Sequence, residues 1–305
     1  MFLFAKLTPR KEVLKMKNTK KLLLLLSTSA LLVGCSAEVK QKQIAAEDAR
    51  VLAETIYDYI DDHYLEVELP SEFTITSSNS SESHSDDGTG KKLGTSFEGS
   101  DKYIYSTKQK MFYTKSEHVS PVEKYSFESW LFIEGDVAYM YTIQMYDDEP
   151  VYSVESTDEN LDTVMKEFAQ DAVLLENADA IADFIDEFYF TDGTPDMGDE
   201  VPVGSEITYS SYYGSDNEKS AQFEESLKVV APEITQTAGK FKGEEIITSN
   251  INVKNYLVYS LENTFELTTT SLEGKGEMGQ SGFYKWNLVE KAEKIPTLDK
   301  TLFKE

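Results

Sequence analysis

Two blocks of short segments bracket one helical stretch, and that order restricts the fold more than any other feature of the chain. In the first block, Lys102–Thr107, Lys110–Lys115, Glu123–Ile133, Val137–Met145 and Val151–Glu155 alternate aromatic or β-branched residues with polar ones. In the second, Ile207–Tyr213, Phe223–Val230, Ile246–Val253, Tyr256–Leu261, Phe265–Thr270 and Gly282–Leu288 do the same. A two-residue period is the mark of a strand with one buried face. Gly135-Asp136 is a hairpin signal, and Asp147-Asp148-Glu149-Pro150 reads as a second turn. The 16 Phe and 18 Tyr also suit strands better than a helical bundle.

The remaining segments have other periods. Residues 43–63 read as a helix, with Ile44, Val51, Leu52, Ile56, Tyr59, Ile60 and His63 at three- and four-residue steps and Pro70 soon after. A strand starts at Phe73–Thr76, and Ser77–Ser96, rich in Ser, Gly and Asp, reads as a loop. Between the blocks, Thr157 or Asp158 is placed to cap a helix whose stripe is Leu161, Val164, Met165, Phe168, Ala172 and Leu175. Asn177 is expected to break it before a second stripe of Ile181, Phe184, Ile185 and Phe188. The expected order in a single domain over 43–305 is therefore helix 43–63, strands 73–155 with a loop at 77–96, helices 158–188 and strands 206–288. No short repeat of fixed period is present.

The N-terminus carries an address. Met16-Lys17-Asn18-Thr19-Lys20-Lys21 is basic, Leu22–Leu26 is an unbroken apolar run, and small and apolar residues continue it to Gly34. These are the three parts of a secretory signal, 16–34, and the apolar part is shorter than the roughly 20 residues of a spanning helix. Leu32-Val33-Gly34-Cys35 resembles the lipobox of bacterial lipoproteins. The resemblance implies a diacylglyceryl group on the Cys35 thiol, cleavage by signal peptidase II between Gly34 and Cys35, and a lipidated tether over 35–42. Two acyl chains anchor stably where one does not, so the membrane is the expected partner and its extracytoplasmic face the expected location. Residues 1–15 do not fit a signal. Lys11-Glu12-Val13 can be encoded as a strong ribosome-binding site with ordinary spacing to Met16, which makes Met16 the expected start and a Gram-positive host the expected source.

Charge narrows the partners. Residues 1–35 hold seven of the 29 Lys+Arg and one of the 55 Asp+Glu, so the rest carries 22 basic and 54 acidic side chains, net −32. Such a surface repels nucleic acid, which excludes it as an expected partner, and it repels anionic headgroups, so the lipid must do the anchoring. Cys35 is the single cysteine. Once acylated it leaves no disulfide and no thiol nucleophile.

The element order and the lipobox together resemble the LolA/LppX-like lipoprotein fold. The resemblance implies an α+β fold: a curved, mostly antiparallel sheet forming an incomplete barrel, with helices packed on one face. It also implies a cavity between sheet and helices that takes an acyl chain, and it supplies no catalytic signature.

Catalytic patterns are missing. Gly279-Gln280-Ser281-Gly282 is one residue short of GxSxG, and Ser215-Asp216-Asn217 lacks the SxxK and KTG partners of a β-lactamase. There is no P-loop and no GxGxxG after a strand, and no cofactor is expected. His63, His84 and His118 have no zinc-ligand spacing and read as solvated or helix-capping residues. Asp192, Asp196, Asp199 and Glu200 share one Gly- and Pro-rich loop, 191–204, and form a weak calcium candidate against the more ordinary solvated loop. Tyr103, Tyr105, Tyr125, Phe127, Tyr139, Tyr141, Phe223, Tyr256, Phe265, Trp130 and Trp286 are chiefly core residues; on a curved sheet some would line an apolar groove.

The expected function is a non-enzymatic, membrane-anchored lipoprotein that binds a lipidic or amphiphilic ligand. A protein- or wall-interaction module without a cavity, showing an exposed aromatic patch or an open sheet edge, is the alternative. A hydrolase whose site is assembled from distant residues is the third.

Overall fold

The computed structural model describes residues 41–87, 92–146, 149–157, 161–197, 201–236, 239–272 and 276–303. Cys35, Leu32, Val33 and Gly34 lie outside the described residues, as do Asp199 and Glu200. No described helix is long and apolar enough to cross a membrane.

A helix, α1 (Ala46–Asp62), precedes six strands: β1 (Glu72–Asp87), β2 (Lys92–Ser106), β3 (Met111–Val119), β4 (Lys124–Glu134), β5 (Val137–Tyr146) and β6 (Glu149–Thr157). A second helical passage follows as α2 (Leu161–Gln170), a π-helical turn (Asp171–Leu175) and α3 (Glu176–Glu187). Then come β7 (Glu206–Asn217), β8 (Ser220–Val230), β9 (Ile234–Gln236), β10 (Gly239–Lys254), β11 (Leu257–Ser271) and β12 (Gly276–Val289). The strands form one sheet in the order β6-β5-β4-β3-β2-β1-β12-β11-β10-β8-β7, with β9 paired to β10. Each named pairing is antiparallel, and β1 with β12 joins the two blocks. β6 and β7 stay apart, so the sheet is an incomplete barrel.

The curvature follows from the core. One cluster of buried side chains includes Leu131 and Ala138 on β4 and β5, Tyr213 and Phe223 on β7 and β8, and Ile56, Ile60, Met165, Leu174 and Ile181 on the helices. β5 and β7 are nine strand spacings apart, roughly 43 Å in a flat sheet at about 4.8 Å per strand. Two helices about 10 Å across cannot bridge that width, so the sheet wraps around them. α1 approaches closely through Ala46, Ala49 and Ala53, whose small side chains are buried, while Val51 faces outward, contrary to its expected place in the stripe.

Several expectations are corrected. Residues 41–44 are not helical: Gln43 bridges Gly214, and the Ile44 N–H donates to Tyr213 O at 3.0 Å, so this segment covers one end of the β7 edge. Asn177 does not break the second helix. The π turn rotates the buried stripe onto Val173 and Leu174 instead, resetting the phase between the two apolar faces. Tyr256 is not on a strand; Asn255 and Tyr256 have φ of 52° and 65° and make the tight β10–β11 turn. Tyr256 pays for that left-handed backbone by stacking on Tyr59 at 3.8 Å between centroids. The two strands expected from 256 to 270 are the single β11.

The largest correction concerns Ser77–Ser96. Its described residues belong to β1 and β2, antiparallel neighbours paired from Glu72↔Ser106 to Asp86↔Lys92. Its sequence reads as loop because, among the described residues, neither face of this part of the sheet meets another layer, so no apolar alternation is selected. Neighbouring side chains hold it laterally: Ser77 Oγ donates to Asp101 Oδ2 at 2.9 Å and Ser83 Oγ meets Thr95 Oγ1 at 2.8 Å. His84, expected in a loop, lies on β1 with its Nε2 3.2 Å from Glu277 Oε1.

The convex face has its own cover. After β12 the chain crosses β1 to β6 as a strap over 290–303. Thr74 Oγ1 donates to Lys291 O and accepts from Glu293 N–H, both at 2.9 Å, and Trp130 Nε1 donates to Pro296 O at 3.0 Å. Ile295 packs with Ile104, Tyr113 and Trp130 in a separate apolar cluster. Phe303 ends the strap edge-on to Tyr141 and Tyr152.

Candidate functional site

The strands outrun the helices. Toward the β1–β2, β3–β4 and β5–β6 turns, the concave face continues as a single layer. The register there is fixed by two hairpins. Pairing about the β3–β4 turn places His118 opposite Tyr125, and pairing about Gly135-Asp136 places Tyr125 opposite Tyr146. His118 also lies opposite Gly99 on β2, whose strand carries Phe97 on the same face two residues earlier.

The result is a row of rings across four strands. Centroids are 5.9 Å apart from Phe97 to His118, 6.2 Å from His118 to Tyr125 and 5.0 Å from Tyr125 to Tyr146. Phe97 is 38% exposed and Tyr146 48%. With Glu123 and Ser120 they line an open depression of about 340 Å³. Gly99 makes the row possible, since a Cβ there would stand 2.8 Å from His118 Nδ1. Beyond Gly99, Asn79 Oδ1 is buried without a hydrogen-bond partner. Asp101 Oδ1 lies 3.9 Å from His118 Nε2. Burial, and then the neighbouring Tyr146, push the Tyr125 phenol up, which keeps it a neutral donor.

A larger depression of about 440 Å³, reaching Gly99 and Tyr125, is lined mainly by Glu98, Ser100, Glu117, Lys124 and Met145, whose side chains alternate onto the convex face. Its charged walls suit an apolar chain poorly.

Helix and sheet side chains share one cluster, and the gap between α2 and β5–β6, lined by Leu131, Met140, Val164 and Phe168, is about 10 Å³. That is about the space of a single water at most. The expected acyl cavity between sheet and helices is therefore not found in this gap.

A second polar group lies under the loop that follows α3. Glu225, 3% exposed, accepts the backbone N–H groups of Tyr189 at 3.0 Å and Phe190 at 2.8 Å and the phenol O–H of Tyr213. Tyr209 meets Tyr213 hydroxyl to hydroxyl at 3.0 Å, and the Thr191 N–H donates to Tyr213 at 3.1 Å. A carboxylate beside two phenols has the look of acid–base machinery. Its acceptors are spent on the backbone, so its work is to fasten residues 189–191 to the sheet.

The other sequence candidates disperse. Asp192 and Asp196 are exposed in that same loop, which is anchored by Met197 and Val201 against Leu227, Val229 and Ile247. No group of three or more His, Cys, Asp or Glu suited to a metal occurs among the described residues. Tyr105, Phe223 and Trp286 are concave core residues, and Tyr103 packs against that core. Phe127 shares the concave face. Trp130, Tyr139 and Tyr141 alternate onto the convex face, where the strap meets Trp130 and Tyr141. Phe97, His118 and Tyr146 were not expected in a site. Residues equidistant from a turn pair in a hairpin, so the two turns would have revealed His118–Tyr125–Tyr146. Phe97 falls between the expected loop 77–96 and the expected strand Lys102–Thr107, so it was on no expected strand.

No family model matches the chain, and no curated protein matches it. Among solved structures, the chain is similar to a LolA-superfamily protein from Nitrosomonas europaea, at 8% identity over 86% of this chain and 98% of that one, with a TM-score of 0.16. It is also similar to the translocator domain of an autotransporter from Neisseria meningitidis, at 9% identity over 80% and 98%, with a TM-score of 0.13. At those scores neither superposition bears on the ligand.

Proposed function

We propose that the protein is a lipid-anchored, extracytoplasmic and non-enzymatic binding protein that holds an amphiphilic ligand on the open end of its concave sheet. The ring row Phe97–His118–Tyr125–Tyr146 carries the reading. Exposed aromatics gathered in a depression are unusual on a surface that is otherwise charged, and they mark a place where apolar matter docks. Residues 41–44 meet β7 beside Gly214, at the covered end of the sheet, so a tether entering there would leave the open end free.

Native mass spectrometry with lipid extraction, on protein purified from a bacterial host, tests this. A bound lipid that resists dialysis, and that the Tyr125→Ala/Tyr146→Ala variant loses, is the expected result. A clean apo mass with no uptake of offered lipids overturns it.

A second reading, a module that binds protein or wall material, is supported by β6. That strand is exposed along nearly all of its length and, among the described residues, pairs only with β5, leaving an edge for strand addition. A partner retained by Tyr125→Ala but lost on disrupting β6 would favour it.

A further inference from the structure

We infer that the open concave depression selects a cationic amphiphile, one with an ammonium or similar head on an apolar chain. This rests on the amphiphile reading above and names the class of its ligand.

Charge is partitioned between the two faces of the sheet. In an antiparallel sheet, directly paired residues share a face and successive residues alternate. Carried through the registers, this rule places Lys102, Lys115 and Lys124 on the convex face of one half and Lys228, Lys242 and Lys285 on the convex face of the other. The set that shares the helix-bearing face with Phe73, Tyr125 and Trp286 contains no lysine and no arginine among the described strand residues. Its one basic side chain there is His118.

Carboxylates are not partitioned in that way. Asp101 lies on the concave face beside His118, Glu149 lies opposite Tyr146, and Glu123 lines the depression at the β3–β4 turn. The rings are thus bounded by negative charge, with no lysine or arginine among the described strand residues of their face.

An anionic head placed on this row would meet Asp101, Glu123 and Glu149 and, among the described strand residues of that face, no lysine or arginine. A cationic head would meet them favourably, and the ring faces add cation–π attraction where water is partly excluded. The surrounding surface, strongly acidic as a whole, gathers cations toward it. The same long-range attraction would draw any cation weakly to the protein, so selectivity must be read against variants of the row.

The experiment titrates the purified protein with three amphiphiles of one chain length at matched sub-micellar concentration: dodecyltrimethylammonium, dodecyl maltoside and laurate. The ammonium should bind roughly tenfold more tightly than the maltoside, with laurate weakest. Tyr125→Ala/Tyr146→Ala should lose about tenfold for the ammonium, and Tyr125→Phe/Tyr146→Phe should retain it, because the ring faces remain. Phe283→Ala on the convex face should leave it unchanged. Equal affinity for ammonium and maltoside overturns the charge selectivity and leaves the amphiphile reading standing. Ammonium binding that no ring variant alters is adventitious attraction to an acidic surface and also overturns it. Binding of none of the three overturns both.

Discussion

The ring of Phe265 on β11 lies over Gly282, its direct cross-strand neighbour on β12; a Cβ at position 282 would stand 2.9 Å from Phe265 Cζ and 2.7 Å from the Ser80 carbonyl oxygen. The ring, which also packs in the cluster of Leu227, Val229 and Ile247, fills the space that a side chain at 282 would need. Gly282→Ala is expected to destabilise by about 1–3 kcal/mol through overpacking. Phe265→Ala in the same chain should recover only part, since the backbone oxygen of Ser80 remains. Denaturant unfolding checks both, and a neutral Gly282→Ala would show that the ring and strand move aside freely.

Glu225 offers a larger effect. Glu225→Ala strands two backbone N–H groups and the Tyr213 phenol, so a loss of about 3 kcal/mol is expected. Exchange of the amides of Tyr189 and Phe190 should rise with it. Protection that survives at those two amides would mean that the loop is held by Phe190 and Met197 alone.

Buried phenols are expected to set the alkaline limit. Burial pushes Tyr209 up to about 12, and burial with a hydrogen bond to Glu225 pushes Tyr213 higher still. Both groups are acids whose neutral form the fold favours. The folded chain therefore keeps protons that the unfolded chain, with phenols near 10, gives up. Their contribution is whole below about pH 10 and is lost as pH climbs toward 12. Circular dichroism against pH should show unfolding in that window, moved upward in Tyr209→Phe. A transition below pH 9 would assign the limit to other groups.

The strap is expected to act as part of the fold. Ile295→Ala should cost about 2 kcal/mol. Ending the chain after Val289 should bare Ile104, Tyr113 and Trp130 and raise the binding of a hydrophobic dye. Unchanged dye binding would mean that the convex cluster closes without the strap.

In the proposed reading, anchoring rests on one atom, the Cys35 sulfur. Labelled palmitate should enter the wild-type chain and not Cys35→Ala, and the variant should leave the membrane fraction. Membrane retention of Cys35→Ala would point to an uncleaved or protein-mediated anchor instead.

The sequence by itself determined the element types and the order of the two strand blocks, because a half-buried strand must alternate and a packed helix must show its stripe. Thus β3, β4, β5 and β8 are legible from residues such as Tyr113, Leu131 and Phe223. The curvature belongs to the same group, although only through a family resemblance. Tertiary structure alone decided the rest. Ser77–Ser96 became strand because β12 and β3 offered edges to pair with, and a two-sided polar strand leaves no pattern in its own sequence. Trp130 and Tyr141 went to the convex face because the register, not the aromatic content, fixes the side on which a ring emerges. His118 joined Tyr125 and Tyr146 because three strands put them in register. The separation of lysine from that face is likewise a property of pairing, invisible along the chain because each strand carries both faces in alternation.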